Sequence, residues 1–433
     1  MKKEVVKGVK WTSISTLWFA ASNVIKISVL ARFLEEADFG LMAILTMLLG
    51  ILSLFSDLGL STAILHKQGI TKKEYASLFW LNLFFCCTVY VSLFGVGHLA
   101  AWFYEDERLY ELTLLIGANV LFFSLGTQFK TIETKLLSFK YISLFEMVAA
   151  TISLIGAVVW AIEGYGVLAL VYSSLLHFGI LHLSLFFFGL KKHGLMLHFK
   201  WMETLPFLRI GFYQVGGQFI NYFNRDLDIL LIGKFFSTEI LGGYSLAKQL
   251  VFRPMQIINP ILMKVATPAL ALVQEKQSEL KRNYLTLLKW VSSVNMPIYA
   301  ATILFAPILV WLFYGNEFDH IVPLVQLLSV YMVLRAFGNP IGSLVTATGK
   351  THLEFYWNLL NLFIAPVFIF IGAQGSIEWV AIALGVYMLL MLVPSWKFLV
   401  ERMTGASLKE FLSAILVPDP RLIVGLFKRN GRV

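Results

Sequence analysis

The sequence predicts an all-α polytopic membrane protein with about twelve transmembrane helices. Three observations carry that prediction. Of 433 residues, 58% are hydrophobic and only 14% are charged, and the mean hydropathy is +0.75. Apolar segments recur over 11–34, 39–65, 75–101, 109–130, 141–163, 165–190, 207–235, 240–272, 283–314, 320–347, 353–373 and 377–400. Each reaches the ~20 residues that a helix needs to cross the hydrocarbon core. Finally, Lys and Arg collect in every second gap. One set of gaps holds clusters such as Lys7–Lys10, Lys67–Lys72–Lys73, Lys130–Lys135–Lys140 and Lys191–Lys192–Lys200. The other set holds only Arg32, Arg108 and Lys234. This bias orients short loops and places both termini in the cytoplasm. The net charge of +9 is then the positive-inside signature plus attraction to the anionic bilayer surface, with no nucleic-acid partner implied.

Taken in order, Lys2, Lys3 and the apolar run from Val9 resemble a signal peptide. The run is long, however, and Glu35, Glu36 and Asp38 follow it in place of a cleavage site, so it is read as span one. Span two holds a lone carboxylate, Asp57. Span three holds Cys86 beside Cys87; adjacent helical residues diverge by about 100°, which disfavours a disulfide between them. Span five holds Glu146, and span six holds His177 and His182, readable as packing residues or as titrating groups. Lys191-Lys192-His193 closes span six, Leu195 to Trp201 mixes apolar and basic residues as an interfacial helix would, and Pro206 opens span seven. The prolines of the second half (Pro254, Pro260, Pro268, Pro297, Pro307, Pro340 and Pro366) predict kinks, which membranes tolerate where neighbours re-satisfy the backbone. Leu408 to Val417 is too short to span and precedes Pro418-Asp419-Pro420. The expected organisation is a six-helix bundle over 1–190, a cytoplasmic interfacial linker over 191–206, a second bundle over 207–403 and an amphipathic basic cytoplasmic tail over 404–433.

The halves share a pattern. Gly8 to Gly40 is the same step as Gly211 to Gly243, and Arg32-Phe33-Leu34 sits one place from register with Lys234-Phe235-Phe236. Six spans per half give both the same orientation, so the repeat is parallel, about an axis along the membrane normal. Span seven is the most polar. Gln214, Gln218, Asn221, Arg225 and Asp228 follow steps of four, three, four and three, one stripe on one helical face. A polar stripe in lipid must face protein or water. Span one carries a thinner stripe of Ser15, Ser22, Asn23 and Lys26. These faces predict a cavity lined by spans one, two, seven and eight.

Charges inside spans are costly and mark pathways. Lys26, Arg225, Lys248, Arg253 and Arg335 make the expected cavity basic and favour an anionic ligand. With Asn23, Gln218 and Asn221 they are the candidate substrate-binding residues. Arg225 beside Asp226 also reads as local neutralisation, and Lys248 and Arg253 as snorkelling side chains. Asp57, Glu146 and Asp228 are the candidate ion-coupling carboxylates; for Asp57 an ion pair with Lys26 and a helix-end cap are the alternatives. No P-loop, HExxH or CxxC motif is present, no external gap holds a catalytic domain, and no catalytic residue, cofactor or metal is expected.

Gly8-Val9-Lys10-Trp11-Thr12, Ala31-Arg32-Phe33-Leu34, Asp38-Phe39-Gly40-Leu41, Asp57-Leu58-Gly59, Arg225-Asp226-Leu227-Asp228, Tyr244-Ser245-Leu246-Ala247 and Phe313-Tyr314-Gly315 together resemble the Wzx-type polysaccharide exporters. The resemblance is to the colanic-acid and teichuronic-acid branch of the multidrug/oligosaccharidyl-lipid/polysaccharide flippase superfamily, and it runs over about 5–400. It implies a V-shaped pair of six-helix bundles around a central cavity. The implied cargo is an oligosaccharide on undecaprenyl pyrophosphate, moved across the bacterial inner membrane with H+ or Na+ as coupling ion and in contact with polysaccharide assembly machinery. It also places Lys26 near the pyrophosphate. The rivals are a cation-coupled drug exporter of the same superfamily, whose cavity would be acidic, and a polytopic polymerase or glycosyltransferase, which would need a sizeable external loop.

Overall fold

The computed structural model describes residues 2–417, with the side chains of residues 2–6, 210–218, 260, 261, 264 and 265 outside the description. Among the described residues every regular element is helical. Packing divides the chain into two compact units, Met1–Gly242 and Gly243–Val433. The boundary therefore falls after span seven, where the sequence reading places it in the 191–206 linker.

The first unit holds α1 (Lys2–Leu30), α2 (Glu36–Ser56), α3 (Leu60–His66), α4 (Lys72–Tyr104), α5 (Arg108–Lys135), α6 (Phe139–Ile162), α7 (Val167–His193) and α8 (Trp201–Phe235). Local sequence accounts for several starts. At α2, Glu35 and Asp38 form a reciprocal capping box, and at α4 Thr71 and Glu74 do the same, satisfying backbone N–H groups that the first turn leaves open. The α5 helix packs between α4 and α7, and α6 between α7 and α1. Small residues permit close approach: a Cβ on Gly126 would lie 2.7 Å from His182 Cα. His182 is buried between the rings of Phe123 and Phe178. Basic residues of the sparse gaps have acids at hand: Arg108 pairs with Asp106 at 2.7 Å and Lys234 with Glu105 at 2.8 Å.

The predicted second span is broken. Leu58 and Gly59 both take positive φ, 48° and 68°, so the chain leaves α2 and restarts as α3. The predicted interfacial helix over 195–201 is absent: the chain from Gly194 to Lys200 is non-helical. Its contacts with Trp80 and Ser77, given below, hold it in this irregular course instead.

The second unit begins within α9 (Thr238–Ala271) and continues through α10 (Gln277–Leu304), α11 (Ala306–Phe313), a 3-10 turn over Asn316–Ile321, α12 (Val322–Ala336), α13 (Asn339–Thr348), α14 (Thr351–Gly372), α15 (Ile377–Ser395), a wide turn over Trp396–Glu401, α16 (Arg402–Thr404) and α17 (Leu408–Leu416). The α10–α11 pair bends by 74°. Pro307 and Pro340 sit in the first turns of α11 and α13, where a missing N–H costs nothing, while Pro206, Pro297 and Pro366 lie inside continuous helices. The amphipathic α17 docks on α10: Phe411 and Ile415 join a core with Tyr284, Leu288 and Leu344, and Lys281 pairs with Glu410 at 2.9 Å. The rest of the predicted tail, 418–433, lies outside the described residues.

Helices cover all twelve apolar segments. Nine described helices are long and apolar enough to cross a membrane, or ten if the bent pair is one span. Predicted spans seven and eight fall on α8 and α9, 35 and 34 residues long, both partly outside the described side chains.

Candidate functional site

In the first unit the α2–α3 break sets the position of Asp57. Its carboxylate accepts from the Ser61 backbone N–H at 3.3 Å and from the Ser61 hydroxyl at 2.5 Å. The Ser61 hydroxyl in turn accepts from Thr131 on α5 at 3.0 Å. One turn along α5, Lys135 Nζ donates to the carbonyls of Ile64 (2.6 Å) and Lys67 at the far end of α3. Thus α5 holds α3 at both ends, with a carboxylate at its start and an ammonium at its finish, the arrangement the helix dipole favours. Of the alternatives weighed for Asp57, the helix-end cap is the one with this geometry. Among the described residues Asp57 makes no ion pair.

A second cluster joins α1, α5, α6 and α7. Lys130 pairs with Glu146 at 2.8 Å, so one candidate coupling carboxylate already holds a cation. Lys26, half-buried on α1, and the Lys130–Glu146 pair both lie within electrostatic reach of His177, whose ring is 5.4 Å from Phe19. Asn23 donates back to Phe19 O of its own helix at 3.0 Å. Deeper along α5, the buried carboxylate of Glu133 takes Lys192 at 2.7 Å and His193 at 2.6 Å from the end of α7.

On α8 the stripe splits. Arg225 pairs with its neighbour Asp226 at 2.8 Å and lies over the Tyr222 ring at 4.7 Å, the local neutralisation that its sequence position suggests. Tyr222 donates to Met47 O at 3.0 Å and fills the space left by Gly50, so this face packs on α2. Asp228 is buried and accepts from the Ile229 N–H at 2.9 Å. Asn221 is exposed. The side chain of Gln218 lies outside the described residues.

The second unit gathers cations around one ring. Phe252, buried on α9, has Lys248 Nζ at 5.5 Å and the Arg335 guanidinium carbon of α12 at 5.3 Å from its centroid. Arg335 also lies 5.8 Å from the Tyr331 ring and donates to the Tyr331 hydroxyl at 2.5 Å. Lys248 is only 8% exposed, so it does not snorkel out of this unit. Tyr387 and Tyr299 lie within electrostatic reach of Arg335, and the Tyr387 hydroxyl donates to Asn361 at 2.5 Å. Arg253 is half-buried near Tyr314. Two cations presented on aromatic faces suit an anion, and neighbouring aromatic and amide groups suit sugar rings and hydroxyls. Sequence reasoning found Lys248, Arg253 and Arg335. It missed Phe252, Tyr331, Asn361 and Tyr387, because an aromatic residue in an apolar span reads as packing, and it left Lys130 in a loop.

Residues 29–323 match the family model described as "Polysaccharide biosynthesis protein". The chain is 27% identical over 428 residues to the lipopolysaccharide biosynthesis protein WzxC of Escherichia coli (strain K12), covering 96% of this chain and 85% of that one. It is 26% identical over 383 residues to the teichuronic acid biosynthesis protein TuaB of Bacillus subtilis (strain 168), covering 88% and 79%. The fold is similar to that of the lipid II flippase MurJ in an inward closed conformation, with a TM-score of 0.71 at 16% identity over 96% of this chain and 91% of that one.

Proposed function

The chain belongs to the polysaccharide biosynthesis protein family, and on that premise we propose that it is a flippase for a lipid-linked oligosaccharide. The cargo is a saccharide repeat unit on an undecaprenyl-pyrophosphate carrier, moved across the bacterial inner membrane by alternating access for surface polysaccharide synthesis. Both termini lie in the cytoplasm. No covalent chemistry is needed, since the protein only has to shield a polar headgroup on its way through hydrocarbon.

The observation that carries this reading is the pair of cations on Phe252. Lys248 and Arg335 would receive the diphosphate, and Tyr331, Tyr387 and Asn361 the sugar. Lys26, with Asn23 and Lys130, would form a second anion-attracting face in the first unit. Asp57 is the carboxylate we assign to the coupling H+ or Na+, with Glu146 and Asp228 behind it because Glu146 already holds Lys130 and Asp228 is tied to its own backbone. A drug exporter for organic cations would present acids in place of these bases.

The test is transport of a fluorescent lipid-linked oligosaccharide in reconstituted vesicles. The wild-type protein should move it to the opposite leaflet, and Lys248→Gln with Arg335→Gln should abolish movement without loss of protein. Normal transport by that double variant, or transport of organic cations in place of the glycolipid, would overturn the reading.

A further inference from the structure

The chain between α7 and α8 is built inside out for a water-facing loop. Its polar groups turn towards the protein. Trp80 of α4 donates its indole N–H to Met196 O at 3.0 Å. Ser77 accepts from the Lys200 backbone N–H at 3.0 Å and donates to Glu203 at 2.6 Å. His198 contacts the same Glu203 carboxylate at 3.1 Å. The large apolar side chains turn the other way: Leu197 is 92% exposed, Met202 66%, Phe199 53% and Trp201 51%. The first turns of α8 repeat the division. Thr204 and Phe207 are fully buried, Phe207 against Leu60, Ile64 and Leu78, while Trp201, Leu205 and Arg209, four residues apart, share the exposed face.

We infer that residues 194–205 are a membrane-surface dock that takes anionic phospholipid. Among the described residues the exposed apolar row is left uncovered, and it leads into α8, the helix over predicted span seven. Exposed Lys191 and Arg209 flank it, and exposed Lys200 lies within it. Apolar residues at the acyl boundary with cations at headgroup level are the pattern of an interfacial anchor, and each cation near such a surface favours acidic over neutral headgroups. An irregular backbone suits an anchor here, because hydrogen bonds already tie it to α4 and the apolar side chains need not fold back to hold it. This inference concerns the bilayer around the protein and does not depend on the cargo.

The test uses the full chain with Cys87→Ser and Leu197→Cys, labelled with an environment-sensitive fluorophore; Leu197 packs on nothing that the change would disturb. The protein is placed in mixed vesicles of phosphatidylglycerol and phosphatidylcholine in which one lipid or the other carries brominated acyl chains. We expect blue-shifted emission, quenched about fivefold or more strongly when phosphatidylglycerol is the brominated lipid. In Lys191→Gln/Lys200→Gln/Arg209→Gln the label should stay quenched but lose the preference. Water-like emission without quenching would overturn the dock, and equal quenching by both lipids in the unaltered segment would overturn its anionic selectivity. Shielding that resists both quenchers and grows with protein-to-lipid ratio would assign the surface to a second copy instead.

Discussion

Replacing Phe252 by leucine removes the ring on which Lys248 and Arg335 both rest while leaving their charges in place. The two cations lie 5.5 and 5.3 Å from one centroid. A cation–π contact is worth about 0.5–2 kcal/mol, more when desolvated, so losing two frees about 1–4 kcal/mol of positioning. At 1.4 kcal/mol per tenfold, the initial rate of glycolipid transport at limiting cargo should fall between about fivefold and several hundredfold. Phe252→Trp keeps a π face and should recover most of the rate. Because Phe252 is buried, the leucine variant should also lose roughly 1 kcal/mol of stability from imperfect repacking. Thermal unfolding in detergent must therefore show that it remains folded at the assay temperature. A folded Phe252→Leu protein that transports at the wild-type rate would refute the argument, and so would a tryptophan variant as impaired as the leucine one.

Further outcomes are expected elsewhere. Asp57→Asn can still accept from Ser61 and should leave stability nearly unchanged, since Asn caps about as well as Asp, whereas Asp57→Ala should cost about 1 kcal/mol; loss of response to an imposed proton or sodium gradient in the asparagine variant identifies the coupling site, and full response leaves Asp57 as a cap alone. Thr131→Val with Lys135→Met should release α3, read as faster amide hydrogen exchange over 60–66 with α2 unaffected. Cysteines placed at Glu105 and Asp319 should react with an impermeant reagent outside intact cells, and cysteines at Lys72 and Lys191 should not; the reverse pattern would invert the topology. Hydrogen bonds from Lys281 and then Ser407 hold Glu410 below the ordinary 4.5, at about 2. A depressed carboxyl stabilises docking above its free value and loses that contribution as pH falls towards the folded value. Proteolysis of α17 should therefore accelerate as pH drops from 4.5 towards about 2, and Glu410→Gln should flatten that dependence.

Hydropathy and charge placement are local properties, and they located helices over all twelve apolar segments and the multi-pass character, while the family was legible through a resemblance carried by short motifs such as Asp57-Leu58-Gly59. The amphipathic α17 was legible for the same reason, as was the pairing of Arg225 with Asp226, which are adjacent in the chain. The break after Ser56 was half visible: Asp57-Leu58-Gly59 stood out as a motif, but the sequence did not say that Leu58 would adopt positive φ and split the span. The non-helical segment over 194–200 was misread as a helix because its composition suits an interface in either conformation. Trp80 and Ser77, more than a hundred residues earlier, take up its backbone hydrogen-bonding groups at Met196 and Lys200. Likewise Lys248 and Arg335 each stood out as a charge in an apolar span, yet nothing in their spacing joins them. Lys248 meets Phe252 one turn along its own helix, but only the approach of α12 to α9 brings Arg335 onto the same ring, because contacts between distant segments depend on how helices pack against one another, which no local periodicity encodes.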